Sequence, residues 1–219
     1  YGFDRKNNLY FKDSLSNSLL KYTPYGQVSW VKGFGENFMS DFASPCKFIV
    51  DTNDDIQLYG TFEKKAYFDS DSLESIGPAR FFAKLDGETG AVLQKKILFP
   101  TDYVTSVAFD HVIHGNDESI YVAGSYLNFS QNFGDTTLFS SQNVQSFLGK
   151  YDYDGNLIWI RNVNTNWNGI SGEINSIDFV EESDELLVLS TQKESWCNNT
   201  SWKNSALIIY DIKGKEKLR

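Results

Sequence analysis

Several features are scarce in this sequence, and each scarcity excludes a class of protein. No apolar run approaches the roughly 20 residues that a membrane-spanning helix needs, so we expect no transmembrane segment. Basic residues are in the minority, since 20 Lys and Arg stand against 29 Asp and Glu for a net charge of −9. Nucleic-acid binding requires a basic face, and this charge therefore argues against DNA or RNA as a partner.

Methionine and cysteine are also rare. The single methionine is Met39 and the chain begins at Tyr1, so we expect the sequence to be part of a longer translation product, whose leader or further segments lie elsewhere. The two cysteines, Cys46 and Cys197, are far apart in the sequence. One long-range disulfide and two buried free thiols both remain open, and free thiols are favoured.

Aromatic residues are abundant. The chain has 17 Phe, 12 Tyr and 5 Trp, and 41% of its residues are hydrophobic. Disordered sequences carry far fewer aromatic residues, so this composition excludes intrinsic disorder and indicates a substantial core.

Three motifs recur in the same order with a period of about 64 residues. The first ends in a turn glycine, found at Gly26, Gly90, Gly155 and Gly214, which are 64, 65 and 59 residues apart. The second is the strand-like Ile56–Phe62, repeated at 120–126 and 186–191. The third begins with phenylalanine, at Phe11, Phe68 and Phe133. Internal repetition on this scale predicts a repeat architecture.

Each repeat contains four short runs with strand character. In the best-preserved copy these runs are 105–110, 120–126, 147–152 and 157–163, rich in β-branched and aromatic residues and bounded by turn residues. No stretch has a helical apolar period. Four antiparallel strands in about 64 residues predict a β-propeller blade. A β-sandwich would not repeat its sequence, and the coil of a β-solenoid is shorter.

The predicted fold is therefore all-β, a β-propeller present as an incomplete segment of about 3.5 blades. We assign residues 1–33 to the outer strands of a first blade, 34–98 to a second blade and 99–163 to a third. Residues 164–219 form a fourth, incomplete blade. Because an open arc would leave strand edges and apolar faces exposed, we expect one propeller domain that belongs to a longer chain. Its partners are then other blades of the same polypeptide or a partner protein.

The best-preserved copy resembles the bacterial-type, seven-bladed β-propeller repeat family. The resemblance rests on three runs: Asn132–Leu138, with an FG-TTL pattern; Phe147–Asp152, with a KYD ending; and Asp154–Trp159, with a DGN-x-x-W pattern. Other copies depart from the pattern, for example Gln94 at the tryptophan position. The resemblance implies a scaffold in a secreted or cell-surface protein rather than a specific activity.

Two groups of residues have the composition of metal sites, although each has a simpler interpretation. Asp152, Asp154 and Asn156 alternate as calcium ligands do, but a hairpin turn is the favoured interpretation, so calcium is only a weak cofactor candidate. His111 and His114 lack further zinc ligands nearby, and we interpret them as part of a loop insertion. We therefore predict no metal and no other cofactor.

Aromatic residues recur in the connections from an outer strand to the next blade. In propellers these connections share one rim, where aromatic faces could bind sugars or peptide side chains. The alternative, which we favour, is that they pack between blades. The candidates are Phe34, Phe38, Phe42, Phe99, Tyr103 and Trp167.

Glycosylation triplets begin at Asn128, Asn198 and Asn199, in connections that we expect to be exposed. No nucleophile elbow and no phosphate-binding glycine loop occurs in the sequence. We therefore predict a non-catalytic scaffold or ligand-binding module of a secreted or surface protein, with loop rims for protein or glycan contacts. The alternatives are a structural subunit of a large extracellular or envelope assembly and, least favoured, a glycan lyase or hydrolase with an active site at the channel mouth.

Overall fold

The computed structural model describes residues 1–13, 18–34, 47–100, 107–115, 119–127, 130–139, 144–163, 172–196 and 199–218. In these ranges the regular structure is entirely β, and it forms four four-stranded antiparallel sheets whose strand order follows the chain. Each sheet is a blade of the propeller type, so the predicted all-β propeller fold is confirmed. The described residues form four four-stranded blades rather than about 3.5, because the short strand Glu216–Leu218 completes the fourth blade, which the sequence predicted to be incomplete. The chain divides into two compact units, Tyr1–Tyr103 and Val104–Arg219, with two blades in each.

The first unit contains blades 1 and 2. Blade 1 consists of β1 Gly2–Phe3, β2 Leu9–Asp13, β3 Ser18–Tyr22 and β4 Val28–Gly33. Blade 2 consists of β5 Lys47–Val50, β6 Ile56–Phe68, β7 Asp71–Leu85 and β8 Val92–Pro100. Leu58, Phe62 and Phe81 of blade 2 pack with Tyr10 and Leu19 of blade 1 in one buried cluster. The core of this unit therefore lies between its two blades.

The second unit contains blades 3 and 4. Blade 3 consists of β9 Val107–His114, β10 Ile120–Leu127, β13 Val144–Tyr151 and β14 Leu157–Asn162, with a separate hairpin of β11 Ser130–Phe133 and β12 Thr136–Phe139. Blade 4 consists of β15 Gly172–Val180, β16 Glu185–Trp196, β17 Asn199–Asp211 and β18 Glu216–Leu218. Tyr121 and Leu148 of blade 3 pack with Val188, Ile208 and Tyr210 of blade 4.

The tight turns of the blades share one construction. An aspartate that precedes the turn accepts hydrogen bonds from the backbone amides two and four residues later, at 2.7–3.0 Å. The fourth turn residue has positive φ, between 61° and 73°, which asparagine, aspartate and glycine adopt most readily. This construction occurs at Asp4, Asp51, Asp152 and Asp211.

Three details differ from the expectations above. Residues 1–33 form all four strands of blade 1 rather than its outer strands alone, because β1 is only two residues long and gives a weak sequence signal. Phe11 lies in β2, so it does not correspond to Phe68 and Phe133, which sit in the hairpins that follow the second strands. His111 and His114 belong to β9, where a bulge accommodates the extra residue.

Candidate functional site

The two ends of each blade differ in the kind of connection they carry. In a four-stranded meander, the turns between the first and second strands and between the third and fourth lie at one end, which we call the turn end. The connection between the second and third strands and the link to the next blade lie at the opposite end, which we call the hairpin end. The residues at the two ends have different roles.

At the turn end of the first unit, three side chains of blade 1 converge on one carbonyl of blade 2. The Gly87 oxygen accepts hydrogen bonds from the Tyr10 hydroxyl at 3.0 Å, the Lys21 ammonium at 2.7 Å and the Trp30 indole at 3.3 Å. Tyr10, Lys21 and Trp30 are directly opposite one another on β2, β3 and β4. We call this set the Tyr–Lys–Trp row of blade 1.

The charges of this row are compensated locally. The Lys21 side chain is buried, and its Nζ lies 3.3 Å from Glu88 and 3.9 Å from Asp4. Burial alone would raise the pKa of Asp4, but hydrogen bonds from Asn8, Tyr10 and Lys6 hold this pKa below its usual value. Burial and the Asp4 charge together raise the pKa of Tyr10. Lys21 and Asp4 therefore form a buried ion pair, and burial together with the negative charge of Asp4 disfavours ionisation of Tyr10.

The second unit repeats the row and the contact of its tryptophan with the next blade. Tyr121, Lys150 and Trp159 are opposite one another on β10, β13 and β14 of blade 3. The Trp159 indole donates to the Ile212 carbonyl of blade 4 at 3.1 Å, and Ile212 occupies the turn position that Gly87 has in blade 2. Arg161 adds a hydrogen bond to the Lys213 carbonyl at 3.0 Å. The Tyr–Lys–Trp row thus joins two successive blades within each unit.

Blades 2 and 4 carry other residues in the corresponding row. In blade 2 the set is Gln57, Lys84 and Gln94, and in blade 4 it is Leu187, Ile209 and Leu218. Neither set contains a tryptophan. The row is therefore complete only in blades 1 and 3.

The hairpin end of blade 2 exposes apolar side chains. Strands β6 and β7 extend beyond the sheet, and Ile76 is fully exposed while Tyr67 is 44% exposed. The Lys65 ammonium lies 5.3 Å from the centre of the Tyr67 ring and pairs with Glu74 at 2.7 Å. A flat aromatic face beside charged groups is a surface on which a sugar ring or a peptide side chain could pack.

The hairpin end of blade 3 has a similar composition. Phe139 is 71% exposed and Leu127 is 38% exposed. The hairpin that carries Phe139 is fixed to the blade, because Asn162 donates to the Phe139 carbonyl at 2.6 Å and accepts from the Tyr126 hydroxyl at 2.9 Å. Phe133, at the other side of this hairpin, is buried against Phe147. The exposed aromatic ring is therefore presented on an anchored support.

Blade 2 also contains a buried cation. Arg80, on β7, is 6% exposed, and its Nε has no hydrogen-bond partner. Burial lowers the pKa of Arg80 to about 10. Among the described residues no carboxylate pairs with this guanidinium, and a desolvated charge of this kind destabilises the folded state.

The structure gives the predicted calcium candidates a structural role. Both carboxylate oxygens of Asp152 accept hydrogen bonds within the turn, from the Asp154 amide at 3.0 Å and from the Asn156 side chain at 2.7 Å. Across the described residues, no group of three or more His, Cys, Asp or Glu side chains is placed to hold a metal ion. The hairpin-turn interpretation therefore accounts for this motif.

The predicted rim aromatics fall into two sets. Phe34 and Phe99 are 1% and 2% exposed. Phe34 packs edge-on against Phe68 of blade 2, with 6.2 Å between the ring centres, which agrees with the alternative that these aromatic residues pack between blades. The others lie outside the described residues: Phe38, Phe42, Tyr103 and Trp167. Of the glycosylation candidates, Asn199 begins β17, and Asn128 and Asn198 are outside the described residues, as are Cys46 and Cys197.

Sequence reasoning missed both the Tyr–Lys–Trp row and the exposed residues of the hairpins. The signal for the row was present, since lysine and tryptophan recur at Lys21, Trp30, Lys150 and Trp159. Their convergence on a neighbouring carbonyl required the strand register. Tyr67 and Ile76 carried no signal, because exposed apolar residues in a strand pattern look like core residues.

Comparisons with known proteins add little to this picture. No family model matches the chain, and no curated protein matches it. A crystal structure of a protein of unknown function from Bacteroides caccae aligns with 95% of this chain and 76% of its own at 11% identity, with a TM-score of 0.38. A likeness of this degree gives no basis for transferring a function. In the part of the chain that the structure describes, no helix is long and apolar enough to cross a membrane.

Proposed function

We propose that this protein is a non-catalytic β-propeller scaffold or ligand-binding module of a secreted or cell-surface protein, of the bacterial-type seven-bladed repeat family. The observation that carries the proposal is that the two ends of the blades have different roles. At the turn end, Asp4, Lys21 and Asp152 are engaged in turns and interblade contacts. The hairpin ends of blades 2 and 3 instead present apolar side chains to solvent.

The ligand class follows from the chemistry of the hairpin ends. Tyr67 and Phe139 offer aromatic faces, and Lys65 and Glu74 supply polar groups beside one of them. Such faces suit glycans or apolar side chains of a protein partner, because ring faces give contact area while polar neighbours orient the ligand. The proposed module is non-catalytic, and the role of the acidic residues described at the turns, which accept hydrogen bonds from the backbone, supports this part of the proposal.

The proposal is tested by binding measurements with variants of both ends. The intact protein is applied to an array of glycans and to a panel of extracellular-type proteins, and positive ligands are titrated by calorimetry. Tyr67→Ala and Phe139→Ser should weaken binding of a positive ligand at least about tenfold, the loss of one apolar contact.

Matched controls exist within the same blades. Leu93→Ser in β8 and Ile158→Ser in β14 remove apolar side chains that are each 54% exposed but lie away from the hairpins. These controls should bind as the parent does. The proposal fails if neither array gives a ligand, if hairpin and control variants bind alike, or if the protein turns over any arrayed glycan.

A further inference from the structure

Blade 1 exposes an apolar sheet face. Two cross-strand sets lie on it: Leu9, Tyr22 and Val28 are opposite one another, and so are Phe11, Leu20 and Val31. Phe11, Val28 and Val31 are 45%, 52% and 57% exposed. Contiguous apolar surface of this kind marks an interaction site more often than a free surface.

The same face is covered in blades 2 and 4. The residues of blade 2 that correspond to Leu9 and Tyr22 are Ile56 and Leu85, which are fully buried in the cluster shared with blade 1. In blade 4 they are Leu186 and Tyr210, which are buried in the cluster shared with blade 3. In each described pair, the preceding blade covers this face.

The turn beside the exposed face has the hydrogen-bond pattern of the occupied turn of blade 4. Thr23 N donates to Gln27 O at 2.8 Å, Gly26 N donates to Thr23 O at 2.9 Å, and Gly26 has a φ of 80°. The corresponding turn glycines of blades 2 and 4 are Gly90 and Gly214, with φ of 72° and 73°. The turns of blades 1 and 4 therefore present the same backbone groups, and the turn of blade 2, between Asp86 and Ala91, is one residue longer.

Among these three turns, the turn of blade 1 is the one that lacks a tryptophan over its glycine. A Cβ atom added to Gly90 would lie 3.0 Å from Trp30, and one added to Gly214 would lie 3.0 Å from Trp159. A Cβ atom added to Gly26 would have no neighbour within 4 Å, and the adjacent Tyr25 is 91% exposed. The position that a tryptophan occupies in the other two turns is open here.

We infer that this face of blade 1 binds a further β-blade that carries a lysine in its third strand and a tryptophan in its fourth. The apolar residues of that blade would cover Phe11, Val28 and Val31. Its tryptophan would pack on Gly26 and, with its lysine, donate to the Pro24 carbonyl, which occupies the turn position of Gly87 and Ile212.

The four blades described here do not supply this partner. The complete rows of blades 1 and 3 are engaged with Gly87 and Ile212. A second copy stacked through blade 4 would offer Leu187 and Ile209, which are not hydrogen-bond donors, and blade 2 has Gln94 in place of the tryptophan. The partner is therefore a separate blade. The inference uses only the face and turn of blade 1 and is independent of the proposed binding function.

The test adds such a blade to the intact chain. A fusion places residues 104–171, a second copy of blade 3 with the connection that normally precedes β15, directly before Gly2. We expect hydroxyl-radical labelling of Phe11, Val28 and Val31 to fall severalfold, the amide resonance of Gly26 to shift under the tryptophan ring current, and the unfolding midpoint to rise.

The matched control carries Lys150→Ile and Trp159→Leu in the added copy only, the residues that blade 4 has at these positions. A second donor, residues 1–46 placed before Gly2, supplies the row of blade 1 in case the first added copy does not fold. Protection with both donors and not with the control supports the inference. It is overturned if neither donor protects the face, if the control protects it equally, or if the parent protein self-associates and already shields Phe11 and Val31.

Discussion

The two units of this chain join their blades through the same row of side chains but through different acceptor residues. In both, a Tyr–Lys–Trp row joins one blade to the next, and the geometry is nearly the same: the tyrosine and tryptophan rings are 5.9 Å and 54° apart in the first unit, and 6.1 Å and 57° in the second. The acceptor differs, since it is Gly87 in the first unit and Ile212 in the second.

This difference shows which part of the contact is fixed and which part varies. The backbone carbonyl and the tryptophan beneath the turn glycine are common to both units. The side chain of the acceptor residue differs between the units. In the first unit a neighbouring backbone lies close to Gly87, whereas the second unit accommodates an isoleucine at this position. The contact therefore depends on backbone position, and its tolerance to substitution should differ between the units.

The largest effect is expected for Gly87→Ala. A Cβ atom at Gly87 would lie 1.7 Å from the Asp54 carbonyl oxygen, so the backbone of the first unit must move. We expect a loss of about 3 kcal/mol or more in unfolding free energy. Ile212→Ala, at the same turn position, removes only part of a half-buried side chain and should cost about 1 kcal/mol. Urea denaturation measures both, and equal losses would contradict the proposed difference.

Replacement of the tryptophans should affect the two units alike. Trp30→Leu and Trp159→Leu remove an indole donor and much of an aromatic face, and each should cost about 2 kcal/mol. Leucine is a native residue at this position of the row, as Leu218 shows. Denaturation followed by the remaining tryptophan fluorescence gives the values. A difference of more than about 1 kcal/mol between the two variants would show that the rows are not equivalent.

Substitution of the buried cation should have the opposite sign. Arg80→Met removes a desolvated charge and keeps most of the volume, so we expect a gain of about 1 kcal/mol. Ser146 holds the corresponding position in blade 3 and is 1% exposed, so Ser146→Met should instead destabilise by about 1–3 kcal/mol through overpacking. Thermal and urea unfolding both report the sign, and destabilisation by Arg80→Met would show that the guanidinium contributes favourably.

Acid should weaken the first unit through Asp4. The folded pKa of this carboxyl is lowered from 3.8, so its stabilisation is complete above that value and is lost as the pH falls through the folded pKa. Asp4→Asn should cost about 1–2 kcal/mol at pH 6 and less at pH 3. Asp211 also has a lowered pKa, because the Lys215 and Lys213 amides donate to it, but it is more exposed. Asp211→Asn should have the smaller effect, and a pH-independent cost of Asp4→Asn would refute the linkage.

The smallest effects are expected at the exposed ion pairs. Arg5 pairs with Asp54 in the first unit and Lys217 pairs with Glu185 in the second, at 3.1 and 2.9 Å. Water and salt screen such pairs, so Arg5→Ala and Lys217→Ala should shift the unfolding midpoint slightly in dilute buffer and not at high salt. A large, salt-resistant shift in only one variant would reveal a structural role that differs between the units.

Much of the fold was predictable because its signals are local. Turn residues such as Gly90 and Gly155 and the period-two pattern of the strands define the blade within a short window. The first strand escaped detection because Gly2 and Phe3 are too few to form a pattern.

The candidate sites were less predictable because they depend on contacts through space. That Phe34 is buried while Phe139 is exposed follows from what each ring meets, and the two residue types are identical in the sequence. The restriction on Gly87 arises from the approach of Asp54, more than 30 residues earlier in the chain. No local pattern records such an approach.

The strand order of the blades has a consequence for how the chain acquires its structure. Every strand in the four sheets pairs with the preceding or following strand of its own sheet, and only the β11–β12 hairpin intervenes, between β10 and β13, so the loops that must close are short. Each sheet can therefore pair as soon as its own segment has left the ribosome. Its apolar face then remains exposed only until one neighbouring blade is made. Synthesis from the amino terminus delivers that neighbour within a few tens of residues, which limits the time during which the face of a new blade is open to aggregation.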